Sequence, residues 1–243
     1  MDDGQRRRAP ARSAGLIAAA AAAAFGIPWI ASRVTAPLAG HDLARVLAHH
    51  TVQAALSLVV IAAIKVIGGG FDFGLRLPRG RADIGRAVAS SLVVAALFTL
   101  VRYVPNIIAG QPPAPDHPLS VGSIAGWGLF EGVYVGPTEE VLFRSLAIGL
   151  LAQAALPALR IRRLEISGAT LVAALLFAAA HFQAIGAAPW YVAVFQMTYA
   201  FVLGALYGYW FEKSRSLLVP ALAHNATDLF ATLVSFGVGA VWR

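Results

Sequence analysis

The sequence predicts an all-α fold, a polytopic bundle of seven or eight transmembrane helices. Three observations lead there. Hydrophobic residues make up 58% of the 243 and charged residues only 13%. Apolar runs of roughly twenty residues, the length that crosses a bilayer core, recur along the chain. The basic residues gather in short clusters between those runs. A mean hydropathy of +0.70 lies well outside the balance of a soluble domain. The formal charge of +7 therefore reads as a set of topology determinants next to anionic lipid, and nucleic-acid binding is discounted. With no cysteine in the chain, disulfides, a thiol nucleophile and thiolate metal sites are excluded. The preponderance of Arg over Lys and the alanine runs suggest a GC-rich bacterial gene, hence an inner (cytoplasmic) membrane.

The first apolar run extends from Ala14 to about Ile30, behind Arg6, Arg7, Arg8 and Arg12. A signal peptide has the same order of charge and apolarity, but this run continues into Pro28-Trp29, an interface-like pair, and is read as a retained helix. The second span runs from about Thr51 to Ile67 and ends at three glycines, with Lys65 placed to snorkel. The Arg76, Arg79, Arg81 and Arg86 region that follows reads as cytoplasmic, and the third span runs from about Ile84 to Val104, stopping at Pro105. The linker 111–118, with four prolines, cannot be helical. It separates residues 1–118, membrane helices without chemical motifs, from residues 119–243, which hold all of them.

From Leu119 to Leu156 the chain is apolar except for Glu131, Glu139, Glu140, Arg144 and a few hydroxyls and amides, too long for one straight span at about 1.5 Å per residue. Gly136-Pro137 offers a break. Two separate spans, 119–135 and 138–156, make eight in all; a single crossing makes seven. The remaining spans are about 168–185, 190–211 and 216–240. Seven spans put Arg160, Arg162, Arg163, Lys213 and Arg215 on the side of the Arg-rich N-terminus, as the positive-inside rule prefers, and leave Glu139 and His181 nearer the other side. Eight spans reverse both statements.

Charges inside spans are expensive and need a reason. Glu140 and Arg144 are i, i+4 and can pair, whereas Glu139 lies about 100° round the helix and is left free. Phe177 and His181 form a second i, i+4 pair, and His224 and Asp228 a third, with Asn225 turned off that face. Each cluster alone can be structural: an ion pair that fixes helix packing, or a histidine satisfied in the core. Together they put Glu139, His181, His224 and Asp228 on three helices that must converge to hide them from lipid. Such a group either activates a water by general-base chemistry or holds a divalent metal that does so. No HExxH helix, GxSxG serine or phosphate-binding glycine loop is present. Glu131, eight residues before Glu139, would share its face only in a continuous helix; His41, His49, His50 and His117 read as solvated residues of loops or span ends.

The ordered set Glu139-Glu140-x-x-x-Arg144, Phe177-x-x-x-His181 and His224-x-x-x-Asp228, with Gly204-x-x-x-Gly208 ahead of the third motif, resembles the CPBP (Abi) family. That family comprises type II CAAX prenyl endopeptidases and bacteriocin-processing and bacteriocin-immunity proteins. The resemblance covers about Leu119 to Ala240. It implies an intramembrane endopeptidase with a water-accessible cavity, acting on a membrane-associated or CAAX-like polypeptide. Glu139 would be the base, with His181 orienting or sharing the proton, and Glu140 with Arg144 would hold the base in place. His224 and Asp228 would stabilise the oxyanion, or complete a ligand set for a metal such as zinc with Glu139 and His181. The chain departs from the family at Ser145, where Gly is common, and at Asp228, where the prenyl-protease branch usually has Asn. A carboxylate donates to an oxyanion only when protonated, so Asp228 favours a ligand or histidine-orienting role. The rival reading is a non-enzymatic membrane protein, a proton-coupled transporter or a bacteriocin-immunity partner, since intramembrane Glu, His and Asp also mark ion pathways. The absence of an internal repeat argues against the transporter.

Overall fold

The structure is a computed structural model that describes residues 3–68, 70–111, 114–162, 164–181 and 190–242. The side chains of residues 3–9, Arg163, Pro112, Pro113 and the 182–185 end of the expected fifth or sixth span lie outside the described residues. Among the described residues seven helices pack side by side: α1 (Asp3–Val34), α2 (Asp42–Ile67), α3 (Arg81–Ile108), α4 (residues 121–151), α5 (Gly168–Ala180), α6 (Trp190–Ser214) and α7 (Leu218–Val241). Between α4 and α5 a small antiparallel hairpin pairs β1 (Leu159–Ile161) with β2 (Leu164–Ile166). Four of the helical stretches, Pro10–Val34, Asp42–Ile67, Arg81–Ile108 and Trp190–Ser214, are long and apolar enough to cross a membrane. Val59, Val93, Leu97 and Val101 on α2 and α3 point outward and are exposed, as a lipid-facing surface requires. This is an integral membrane protein.

Among the described residues, seven helices and not eight follow from the behaviour of α4. The chain does not break at Gly136-Pro137. It alternates α and π segments, with π turns over Phe130–Tyr134 and Val141–Ile148 flanking the short α segment Val135–Glu140. A proline ring clashes with the carbonyl one turn earlier and brings no N–H. The π turn just before Pro137 widens the helix where that clash would fall, and the Gly136 N–H donates instead to Asn225 Oδ1 at 2.7 Å. Any Cβ at Gly136 would collide with the Ala221 carbonyl and the Asn225 amide, so α4 and α7 approach here backbone to backbone. Pro105 likewise sits inside α3 and does not end it.

α2 begins at Asp42, about two turns before the expected Thr51, which brings His49 and His50 into the bundle. α1 is an integral part of the core: Ala20, Ala24 and Ile27 are buried in one cluster with Leu142, Leu146 and Ile148 of α4. Its small residues allow close helix approach, and Ser13 Oγ accepts from the Ala155 N–H at 3.0 Å.

With seven crossings, one face of the bundle collects the start of α1, the 68–80 loop, the β hairpin and the α6–α7 turn. That face is tied together by Arg76 Nε donating to the Arg215 carbonyl at 2.8 Å and by Leu217 N donating to the Gly74 carbonyl at 2.9 Å. Gly74, at φ +61°, lies where any Cβ would enter the Phe211 ring, so only glycine fits. The opposite face carries Trp29, Trp190, Tyr191 and Trp242, all exposed, an aromatic belt at a membrane interface.

Candidate active site

Glu139 and Glu140 are adjacent on α4, and helical rotation sends them to different surroundings. The Glu140 side chain is fully buried, with Oε2 3.0 Å from Arg144 Nε and Oε1 2.8 Å from His224 Nδ1. Arg144 is fully buried too; its guanidinium lies over the rings of Phe177 at 4.7 Å and Tyr207 at 5.5 Å. Two aromatic faces thus serve a cation whose hydrogen-bonding nitrogens are otherwise unsatisfied among the described residues. The pair expected from spacing is present, and it extends to a third member, His224.

His224, on α7, is held on every side. Nδ1 faces Glu140, Nε2 lies 3.1 Å from Asp228 Oδ2 and 3.8 Å from Glu139 Oε2, and the ring stacks on Tyr207 with centroids 5.0 Å apart. Tyr207 is fixed by a 2.5 Å hydrogen bond with Thr227 Oγ1. Carboxylates only accept, so Nδ1 donates to Glu140 and Nε2–H points between Asp228 and Glu139. Asn225, turned away from that face, ties α7 to α4 through Gly136.

His181 caps the C-terminal end of α5. Its Nδ1 donates to the Phe177 carbonyl at 2.8 Å, which leaves Nε2 without a hydrogen-bond partner among the described residues, and its ring meets the Phe177 ring at 4.8 Å. Phe177 also contacts His224, with centroids 5.9 Å apart, so it spaces the two imidazoles. Glu139, His181, His224 and Asp228 all line one cavity of about 330 Å³, and so does Glu131. The continuity of α4 is what carries Glu131 to the face of Glu139.

Two histidines read as solvated line the same cavity. His50 is buried; its Nδ1 lies 3.8 Å from Glu139 Oε1 and 3.4 Å from Thr138 Oγ1, and its ring meets Phe130 edge to face at 5.1 Å. Glu139 therefore sits between two imidazoles, His50 on Oε1 and His224 on Oε2. His117, in the linker, stacks flat on Trp127 at 3.7 Å. His49 is half-buried and His41 is exposed. The signal missed for His50 was periodic: His50, Gln53, Ser57 and Ile61 form the buried stripe of α2, which extends upstream of the apolar run.

The set Glu139, His181, His224 and Asp228 does not fit a metal in this arrangement. Of the four, only His224 Nε2 and Asp228 Oδ2 approach closely, at 3.1 Å, while Glu139 Oε2 lies 3.8 Å from His224 Nε2 and His181 turns Nδ1 to the Phe177 carbonyl. Among the described residues no group of three or more His, Asp or Glu is placed to hold a metal ion.

Residues 120–230 match the family model described as type II CAAX prenyl endopeptidase Rce1-like. No curated protein and no solved structure matches the chain. The matched stretch includes every residue of the three motifs and excludes α2 with His50. The match over residues 120–230, just under half of the chain, supports membership of the CPBP family, whose Rce1-like proteins are type II CAAX prenyl endopeptidases.

Proposed function

We propose that the chain is an intramembrane endopeptidase of a bacterial cytoplasmic membrane that hydrolyses a peptide bond in a membrane-associated polypeptide, with Glu139 as general base. The observation that carries this reading is the contrast between two neighbouring glutamates. Glu140 spends both oxygens on Arg144 and His224, while Glu139 faces a cavity with an imidazole 3.8 Å from each oxygen.

In this mechanism Glu139 takes a proton from a water in the cavity as the water oxygen attacks the scissile carbonyl carbon. Charge then develops on the carbonyl oxygen, and the His224 Nε2–H, preset by Glu140 and Asp228, is directed to donate to it. Asp228 acts by orienting the imidazole, the role its carboxylate suits better than donation. The C–N bond breaks as the departing nitrogen receives a proton, from Glu139 directly or by way of His181 Nε2. His50 holds Glu139 Oε1 so that Oε2 faces the water.

Cleavage of a membrane-associated reporter peptide by purified wild type, Glu139→Ala and His181→Ala proteins tests this. Wild type cleaves; Glu139→Ala loses roughly 10²–10⁴ in kcat with an unchanged thermal unfolding midpoint. Cleavage retained in Glu139→Ala would overturn the assignment. Binding of a peptide without cleavage, indifferent to both substitutions, would favour the immunity-type partner.

A further inference from the structure

The cavity mouth and the basic face lie on opposite sides of the bundle. The basic face holds the Arg76/Arg79/Arg81 segment, the Arg160–Arg162 hairpin and the Lys213/Arg215 turn. The other face holds Arg33, Arg45 and Arg102, and Arg102 is paired with Asp116 at 2.8 Å. By the positive-inside rule the basic face is cytoplasmic.

The cavity walls climb the other way. Val46 is near the start of α2, Trp127 near the start of α4, Gln196 near the start of α6, and His117 is in the linker; all four are at the non-basic face. Glu139, Tyr207 and His224 form the deep end. Beneath them the fully buried Glu140, Arg144, Leu142 and Leu146, with Ile148, Phe73 and Phe211, close the way to the basic face.

The lining has a second property. It contains the carboxyl groups of Glu131, Glu139 and Asp228 with aromatic rings and histidines, and among the described lining residues no Lys or Arg. A free C-terminal carboxylate, such as ends a CAAX sequence, meets the carboxylates of Glu139 and Asp228 there, and the imidazole facing them, His224, is already engaged by Glu140 and Asp228. A basic flank meets opposite charge, and a neutral one avoids the repulsion.

Resting on the proteolytic reading above, we infer that the substrate is an apolar segment with neutral or basic flanks, cleaved at an internal bond and presented from the non-cytoplasmic side of the membrane. The chain has no native cysteine, so sidedness can be read with single substitutions. Arg45→Cys is expected to react with a membrane-impermeant maleimide on intact spheroplasts, and Arg79→Cys only after permeabilisation; the reverse pattern overturns the inference. Right-side-out vesicles are then given two versions of one fluorogenic apolar peptide, one amidated with lysine flanks, the other ending in a free carboxylate just past the cleavage point. The amidated peptide is expected to show kcat/KM higher by at least about tenfold. No preference, the opposite preference, or cleavage in inverted vesicles only overturns the substrate assignment. If the labelling is as expected and neither vesicle type cleaves either peptide, the proteolytic reading itself fails and the substrate assignment with it.

Discussion

His50 is the residue whose place in the bundle departs most from its reading in the sequence. Its Nδ1 approaches Glu139 Oε1 at 3.8 Å, and Thr138 Oγ1 lies at 3.4 Å. If it orients the base, His50→Ala lowers kcat by about tenfold with KM unchanged and moves the acid limb of the kcat/KM pH profile, while His50→Gln, which retains a donor near that position, recovers part of the loss. A merely structural His50 would instead lower the unfolding midpoint and leave the pH profile in place. Arg144 makes a contrasting case. It is fully buried against the fully buried Glu140. Arg144→Met leaves Glu140 as a buried carboxylate facing only His224, so destabilisation of about 3–5 kcal/mol is expected in thermal or denaturant unfolding in detergent. Replacing both members, Glu140→Leu with Arg144→Met, is expected to recover much of that stability and none of the activity, because His224 Nδ1 then loses its acceptor.

Helix α4 shows how a local rule can be overridden. Proline after glycine marks a break in most contexts, yet here the chain continues through Pro137 because a π turn precedes it and Asn225 takes up the Gly136 N–H. The contact is steric as well as polar. Gly136→Ala drives a methyl group into the Ala221 carbonyl and is expected to cost about 1–3 kcal/mol; Asn225→Ala strands the Gly136 N–H at a similar cost of about 1–3 kcal/mol. Circular dichroism melts of the two variants check this, and a neutral Gly136→Ala would show that α4 and α7 can slide apart. The 68–80 loop gives a pH-dependent counterpart on the basic face. Burial alone would push the Asp72 carboxyl up, but the Gly74 N–H and the Arg76 and Arg215 guanidiniums outweigh it and hold it below the usual range. A lowered folded value means that this loop's contribution is present above the ordinary carboxylate range and is lost as pH falls through the folded value. Asp72→Asn should therefore lower the unfolding midpoint at pH 7 and narrow the gap to wild type in strong acid.

Helix packing unites the two halves of the chain. α1 and α2 pack on α4 through Ala20, Ala24, Ile27 and Ile61, and α2 supplies His50 and Val46 to the cavity. Residues 119–243 expressed alone would expose those faces of α4 and lack one wall of the site. They are expected to aggregate or to unfold without cooperativity on size exclusion and melting, whereas co-expression with residues 1–118 should restore a single melting transition. A stable, active 119–243 fragment would show that the N-terminal helices are a separable module.

Much was legible before any coordinates. Periodicity and hydropathy mark α1, α3 and α6 because a lipid-facing helix needs an uninterrupted apolar run. The i, i+4 spacings of Glu140 with Arg144 and of His224 with Asp228 are local geometry, so the sequence alone determines that each pair shares a face. Which of these groups meet is a different kind of fact. That Glu140 reaches His224, that Glu139 lies between His224 and a histidine of α2, and that the cavity opens away from the basic clusters all depend on how separate helices pack. Packing is set by the summed fit of many side chains across the bundle, and no single spacing along the chain encodes it. The helix count is open in the sequence for the same reason: Pro137 permits both a break and a continuation, and the structure takes the continuation through a contact with Asn225, 89 residues away.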